Sequence, residues 1–330
     1  MDVLSEVLGA IRLKGAFYFN GEFTAPWGVR TPSSTALAPL FGAGSRVLIF
    51  HLLTEGRGVA GLEGGALVPL QAGDIVMFPH GDAHLIGNGA PLVTVDYESE
   101  LQRILAQGLR LTRSGGGGEI TRFVCGYLSC DEHMGKVLFA GLPAVLKVSV
   151  REPGAGPWLE SAISLLVGDA AGTTAGSHAV QARLAESLFI ETLRRHLVAL
   201  PPERTGWLAG LRDPSVSKAL HLLHADPVRH WTLPQLARAA AVSRSVLAER
   251  FRHFIGESPM AYLARWRLLL AASLLQTGRR GVAAIAGEVG YDSEAAFNRA
   301  FRREFGVPPA RYRRMAQPAA KRARRRAKQR

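Results

Sequence analysis

The sequence is poor in the features that mark secreted, membrane-spanning and many catalytic proteins. It has only two cysteines, Cys125 and Cys130, in 330 residues. Four residues separate them, so in an extended chain their side chains point to opposite faces, which disfavours a disulfide between them. No apolar run reaches the about 18 residues of a membrane helix, and residues 1–6 are acidic, unlike a secretory signal. A Gly-rich phosphate loop and a Ser/His/Asp motif are also missing. We therefore expect a cytoplasmic protein that is not an enzyme and has no membrane partner.

Acidic residues are scarce in one half of the chain only. Residues 204–330 contain 25 Lys and Arg against 8 Asp and Glu, a net charge of +17, whereas residues 1–203 carry −4. This asymmetry predicts a polyanionic partner for the C-terminal half. Residues 321–330 are a basic run without apolar period, predicted to be disordered and to bind phosphate without sequence preference. The C-terminal half remains at +10 without that run.

A twelve-residue frame occurs twice, 50 residues apart, with Phe-Arg, Gly, Pro and Tyr at the same spacing. The two copies are Phe251, Arg252, Gly256, Pro259, Tyr262 and Phe301, Arg302, Gly306, Pro309, Tyr312. Each copy of a repeat is one supersecondary unit, and two copies indicate a duplicated module rather than a solenoid.

A short helix, a turn and a second helix are predicted ahead of each frame. Thr232 begins a capping box with Gln235, while Ser243 and Ser293 are N-caps of the two second helices. Gly290 lies in the second turn, where a positive φ costs least. A plain helical hairpin has the same local pattern, but the duplication and the charge favour paired helix-turn-helix units that bind the DNA major groove. A linker helix is predicted over residues 260–275.

Residues 215–314 resemble the DNA-binding domain of AraC/XylS-type transcription activators, and residues 285–313 match that family's C-terminal signature almost throughout. The resemblance implies two helix-turn-helix units that enter successive major-groove segments on one face of the DNA. It also implies double-stranded promoter DNA and RNA polymerase as partners.

Helix geometry selects the side chains that would face DNA. They lie opposite the apolar face of each second helix, and Arg, Asn and Glu among them can pair with guanine, adenine and cytosine. The first set is Arg244, Ser245, Ala248, Glu249 and Arg252, and the second set is Glu294, Ala295, Asn298, Arg299 and Arg302. Arg252 and Arg302 lie deeper along their helices and are assigned to phosphate. Salt-bridged surface residues are the alternative at any single position.

The N-terminal half has short alternating apolar runs and Gly/Pro turns, which predict a β-barrel or sandwich. Gly73, Pro79, Gly81, His84 and Asn88 match the second cupin motif, and His84 is expected to point into a barrel. With Cys125-Gly126 and Leu142-Pro143, the region resembles the cupin-type sensor of a subgroup of these regulators. We therefore expect an α+β multidomain protein, with a cupin-like β-barrel followed by an all-α domain containing two helix-turn-helix motifs.

Two clusters could hold a divalent metal such as Zn or Ni. His51, Glu55 and His84 are candidate ligands and also the predicted effector pocket, although Leu53 replaces the second His of the first cupin motif. Three ligands would make an open, catalytic-type site. The alternative is that they are hydrogen-bonded polar residues at a barrel mouth.

The second cluster is Cys125, Cys130 and His133. A cysteine pair inside a cell can be structural, metal-binding or redox-sensing. As buried small apolar residues, these cysteines would need no ligand at all.

Four segments are predicted along the chain. They are a cupin-like effector-sensing domain at residues 1–155, a helical dimerisation and linker segment at 156–203, the double helix-turn-helix domain at 204–314 and a disordered basic tail at 315–330. Within the second segment, residues 178–200 form a strong helix whose apolar stripe would pack on the barrel or on a second subunit.

Together these features predict a homodimeric, sequence-specific transcription regulator, an activator controlled by a small effector bound in the cupin-like domain. Two alternatives remain open: a cupin metalloenzyme tethered to DNA, and a DNA binder whose cupin domain only dimerises.

Overall fold

The computed structural model describes residues 2–11, 13–36, 45–89, 94–96, 111–131, 135, 139, 141–151, 161, 175–201, 203–278 and 280–316. The chain divides into two compact units. The N-terminal unit comprises residues 13–135 and 142–201, and the C-terminal unit comprises residues 1–12, 136–141 and 202–330. The first is rich in strands and the helices of the second include both predicted helix-turn-helix units, so the α+β multidomain class is confirmed.

The described strands of the N-terminal unit form two sheets. They are β1 (Lys14–Thr24), β2 (Trp27–Thr31), β3 (Ser45–Glu55), β4 (Arg57–Leu62), β5 (Val68–Gln71), β6 (Asp74–Phe78), β7 (His84–Asn88), β8 (Thr94–Asp96), β9 (Leu111–Gly115), β10 (Ile120–Asp131) and β11 (Leu146–Ser149). One sheet has the order β11-β6-β3-β10-β1-β9, and the other has the order β5-β4-β7-β2-β8.

The core of this unit lies between the two sheets, because both contribute to one apolar cluster. Trp27 stacks on Phe123 with ring centroids 5.0 Å apart, which joins β2 of one sheet to β10 of the other. The predicted cupin-like β-barrel thus consists of two facing sheets and is not closed, an arrangement found in jelly rolls such as cupins. Tight turns flank β6 as expected: Gly73 and Gly81 have φ of 93° and 73°, where glycine is strongly favoured.

Helix α2 (Ser177–Ala199) packs on β1 of this unit. Its inward side chains include Ala185, Leu188 and Leu193. Gly15 on β1 permits the close approach, since a Cβ there would lie 2.8 Å from the Cβ of Ala185. Val180, an apolar residue near the start of this helix, is 47% exposed.

The described helices of the C-terminal unit include those predicted for the two helix-turn-helix units and for the linker. They are α1 (Val3–Ile11), α3 (Trp207–Gly210), α4 (Pro214–Ala225), α5 (Leu233–Ala239), α6 (Arg244–Ile255), α7 (Pro259–Thr277), α8 (Val282–Glu288), α9 (Glu294–Phe305) and α10 (Pro309–Ala316). Helices α5 and α6 form the first helix-turn-helix unit, α8 and α9 form the second, and α7 joins them. Within the described residues, no helix combines the length and apolarity needed to cross a membrane.

The predicted N-cap residues and C-cap glycines lie at the helix boundaries of the structure. Thr232 and Gln235 form the capping box of α5, and Ser243 and Ser293 cap α6 and α9 through their side chains. Gly256 and Gly306 end those helices in the left-handed region, as expected for a glycine C-cap. Val246, beside the buried Leu247 on α6, is 37% exposed.

Helix α1 lies within the predicted cupin-like domain at residues 1–155. In the structure it packs on α4 and α7 and is grouped with the C-terminal unit. Val7 and Ile11 are 0% and 3% exposed in that packing. The predicted tail run at 321–330 and the segment 162–174 lie outside the described residues.

Candidate DNA-binding surface and sensor core

The second helix of each unit has one buried face and one face free of the core. In α6 the buried side chains are Leu247 and Phe251, and in α9 they are Phe297, Phe301 and Phe305. All ten predicted DNA-facing residues lie outside the core. Eight are exposed, and Ala248 and Asn298 are partly buried. Each helix therefore presents its predicted face outward, as insertion into a major groove requires.

Some arginines of the unit are ion-paired, whereas, among the described residues, those of the predicted DNA-facing side are not. Arg250, Arg265 and Arg280 each form an ion pair with a carboxylate, to Asp213, Glu257 and Glu288. Within the described part of the chain, by contrast, Arg252, Arg299 and Arg302 make no hydrogen bond or ion pair. Exposed guanidinium groups without a carboxylate partner are suited to bind phosphate or a guanine edge.

A buried polar network supports the first unit from behind. Tyr262 on α7 is 2% exposed, and its ring packs edge-on against Phe251 of α6. The Trp207 indole donates to the Tyr262 hydroxyl at 2.9 Å, and that hydroxyl lies 2.8 Å from His224 Nε2. Burial lowers the pKa of His224 to about 3, so the ring is neutral and Nε2 can accept the tyrosine proton. His224 Nδ1 faces Glu6 of α1 at 3.7 Å.

In the N-terminal unit, the two predicted histidines do meet. His51 and His84 are 1% and 0% exposed, and their Nε2 atoms are 2.8 Å apart. His84 stacks on Phe78 with ring centroids 3.6 Å apart. On its other side, His51 Nδ1 lies 2.7 Å from Cys125 Sγ, so the structure joins residues that the sequence placed in separate clusters.

The hydrogen-bond directions in this cluster follow from one carbonyl. The backbone oxygen of Asp82 can only accept, so His84 Nδ1 donates to it at 2.9 Å and His84 Nε2 is an acceptor. His51 Nε2 then donates to His84, and His51 Nδ1 accepts from the Cys125 thiol. This directed chain satisfies every polar atom of the three side chains.

Burial keeps all three groups uncharged. It lowers the pKa of His84 to about 4 and places the pKa of His51 well below its ordinary value, helped by the neighbouring His84. Burial also raises the pKa of the Cys125 thiol well above its usual range. Since the thiolate is the reactive form of cysteine, this thiol is a weak nucleophile.

Glu55 does not join the histidines. Strict alternation along β3 would place it on the face of His51, but the ladder with β10 shifts register between Leu53 and Glu55. Such a bulge turns the following side chain to the other face. Glu55 is half exposed and pairs with Arg122, so the predicted set His51, Glu55 and His84 is not assembled.

The donor set does not fit a three-ligand metal site. Only the two histidine Nε2 atoms converge, and Cys125 lies at the opposite nitrogen of His51. Among the described residues, no three His, Cys, Asp or Glu side chains are placed to hold a metal ion. In the second candidate cluster, Cys130 is buried on β10, and His133 lies outside the described residues.

Comparison with known proteins agrees with this architecture. A cupin family model matches residues 2–198, and a helix-turn-helix domain model matches residues 236–315. The transcriptional regulator AlkR of Acinetobacter baylyi is 32% identical over 95% of this chain and 99% of its own. A putative AraC-like transcription regulator of Streptomyces antibioticus is 40% identical over 63% of this chain and 68% of its own. The RCS-specific transcriptional activator RclR of Escherichia coli is 28% identical over 95% and 97%.

Fold, surface and relatives together define a DNA-binding transcription regulator with an N-terminal cupin domain. The chain belongs to the AraC-type family of helix-turn-helix transcription regulators.

Proposed function

We propose that α6 and α9 enter two successive major-groove segments of a promoter site. Ser245, Ala248 and Glu249 would face bases in the first segment, and Ala295, Asn298 and Arg299 in the second. Arg252 and Arg302 would contact phosphate, with Arg244 and Glu294 at the starts of the two helices. One observation carries this proposal: the predicted DNA-facing side chains of both helices lie outside the core, and among them Arg252, Arg299 and Arg302 have no carboxylate partner in the described chain.

The proposal separates two neighbouring arginines of α9. Arg299→Ala should reduce discrimination between the selected site and scrambled DNA by about 1–3 kcal/mol, because a base contact carries sequence information. Arg302→Ala should weaken binding to both DNAs and lower the salt slope by about one unit, because a phosphate contact releases counterions. Affinities are measured by fluorescence anisotropy with the full chain at several salt concentrations.

Arg57→Ala is the matched control, since Arg57 is an exposed arginine of the N-terminal unit that lies on β4 and not on α2. It should leave both affinities unchanged. Identical behaviour of the Arg299 and Arg302 variants would contradict the assignment. A footprint of one helical turn, rather than about two, would contradict the use of both helices.

We propose further that a small effector bound by the N-terminal unit controls DNA binding. The hydrogen-bonded chain from Cys125 through His51 to His84 supports this. Apolar residues could fill the same space without the need to pair every buried polar atom, so a polar network at this place suggests a role beyond packing. A ligand must bind the two DNA-affinity states unequally to act. Reporter induction should therefore change in His84→Ala and Cys125→Ser. Unchanged induction in both would favour a domain that only dimerises.

This proposal assigns the histidine pair to hydrogen bonding rather than to a metalloenzyme centre. A tightly held divalent metal that survives chelation and disappears in His84→Ala would contradict it. Elemental analysis of the purified full chain makes that measurement.

The same proposal includes activation by contact with RNA polymerase in the cytoplasm, and homodimerisation through α2. A relative named as an activator supports activation.

Homodimerisation through α2 is supported by exposed apolar residues, since Val180 and Val198 are 47% and 80% exposed on that helix. Light scattering should report a dimer, and Val198→Lys should weaken it.

A further inference from the structure

One arginine of the linker helix binds both helix-turn-helix units. Arg267 is the ninth residue of α7, close to the middle of that helix. Its Nε donates to the carbonyl of Pro227 at 2.6 Å, and its Nη2 donates to Val228 and Arg229 at 3.1 and 3.0 Å. Those carbonyls belong to the segment that leads into α5. Its Nη1 donates to the carbonyl of Gly290 at 3.0 Å, in the turn of the second unit.

The two segments that Arg267 joins are also in direct contact. A Cβ at Gly290 would lie 3.0 Å from the Cα of Val228 and 3.0 Å from Cζ of Arg267. Gly290 also has a φ of 85°, so two separate constraints require glycine there. The turn of the second unit is therefore pressed against the lead-in to the first, with the guanidinium group between them.

The lead-in segment is itself well anchored. The Trp231 indole donates to the Asp226 carbonyl at 3.1 Å, and Trp231 is only 8% exposed. Asp226 Oδ1 accepts from the backbone of Arg229 at 3.2 Å. A bond from Arg267 to these carbonyls thus holds a fixed structure rather than a loose loop.

A helix of 19 residues sets the distance between the units it joins, but a bridge to each side is needed to set their rotation about its axis. A planar guanidinium group with donors in a rigid fork suits this task, while an ammonium group has one donor centre. Burial lowers the pKa of Arg267, and the four carbonyl oxygens replace the lost water. We propose that Arg267 is a positioning residue that fixes the relative orientation of α6 and α9, and thereby the spacing of the two DNA half-sites that this protein accepts.

This inference rests on the proposed reading of two half-sites. It requires that the protein discriminate between spacings, because one inserted base pair shifts the second half-site by about 3.4 Å and rotates it by about 34°. A residue that only stabilised the fold or attracted phosphate would change the affinity for all spacings by the same factor. The ratio between spacings is therefore the informative measurement.

The test compares Arg267→Lys with Arg265→Lys in the full chain. Both keep the charge, and Arg265 lies on the same helix, but its described partners are near it in the chain: the carboxylate of Glu257 and the ring of Tyr262. The probes are a duplex selected from random DNA by the wild type, the same duplex with one base pair inserted between half-sites, and a duplex with one half-site scrambled. Wild type and Arg265→Lys should lose about tenfold on insertion, and Arg267→Lys less than about threefold. All three should bind the single half-site with similar affinity.

An unchanged insertion ratio in Arg267→Lys, or equal relaxation in Arg265→Lys, would overturn the proposal. A wild type without spacing preference would instead contradict the two-site function. Distances between spin labels at Glu249→Cys on α6 and Arg303→Cys on α9 then test, in the free protein, whether Arg267 fixes the relative orientation of the two helices. The distance distribution should broaden with Arg267→Lys and stay narrow with Arg265→Lys. A distribution that Arg267→Lys does not broaden would overturn the proposal.

Discussion

The two helix-turn-helix units share one frame but are held in place differently. Tyr262 and Tyr312 occupy the same position, 50 residues apart. The Tyr262 hydroxyl bonds to Trp207 and His224 within the core, whereas the Tyr312 hydroxyl accepts from the amide of Gln276 at 3.1 Å. The repeated residues thus make equivalent local structure, while their outer contacts depend on what each unit packs against.

The turns differ in the same way. The first turn passes through Ala241 at φ 56°, and the second through Gly290 at φ 85°. Between that residue and the N-cap serine, the second turn contains one residue more than the first. Only the second turn faces the linker arginine. The position near the linker therefore tolerates glycine alone, while the other accepts a Cβ.

The largest expected effect on stability comes from substitutions that exchange the turn residues, Gly290 and Ala241. Gly290→Ala should lower the free energy of unfolding by roughly 2–4 kcal/mol, since it combines left-handed strain with overpacking against Arg267 and Val228. Ala241→Gly should change it by less than about 1 kcal/mol and towards greater stability, because relief of strain outweighs the added chain entropy. Urea unfolding of the full chain measures both. Losses of equal size would show that the turns are equivalent after all.

A smaller difference is expected at the repeated tyrosine. Tyr262→Phe leaves Trp207 Nε1 and His224 Nε2 without a partner in the core and should cost about 2–3 kcal/mol. Tyr312→Phe removes the bond to Gln276, which is only partly buried, and should cost about 1 kcal/mol. The same unfolding measurement applies. As a control, the cost of Tyr262→Phe should shrink in a His224→Leu background, and additive costs would argue against the network.

Local parts of this comparison were predictable from sequence, and long-range parts were not. Ser243, Ser293, Gly256 and Gly306 act within one helical turn, so their spacing alone placed the boundaries of α6 and α9. The fork of Arg267 reaches carbonyls about 40 residues before it and 23 after it. No periodicity in the sequence encodes such a contact.

The sensor core teaches the same lesson. The cupin motif predicted His84 as an inward residue, because the motif's glycines lie in the turns on either side of β6 and act on the neighbouring chain. The contact of His51 with Cys125 depends on the register of β3 against β10, and the outward turn of Glu55 depends on one bulge in that ladder. A one-residue change in register reverses every side chain, so residue spacing alone could not decide between these arrangements.

The smallest expected effect concerns the first helix of each unit. Thr232 caps α5 with its side chain and forms a capping box with Gln235, so Thr232→Ala should cost about 1 kcal/mol. Gly281 begins α8 without a side-chain cap, at φ −60° and ψ 156°, and a Cβ there meets no atom within 4 Å. Gly281→Ser should therefore add a few tenths of a kcal/mol, since serine can accept a backbone hydrogen bond that glycine cannot. Thermal unfolding of the full chain should shift in opposite directions for the two variants. A Gly281→Ser variant that loses stability would mean that the second unit uses this glycine for something other than helix initiation.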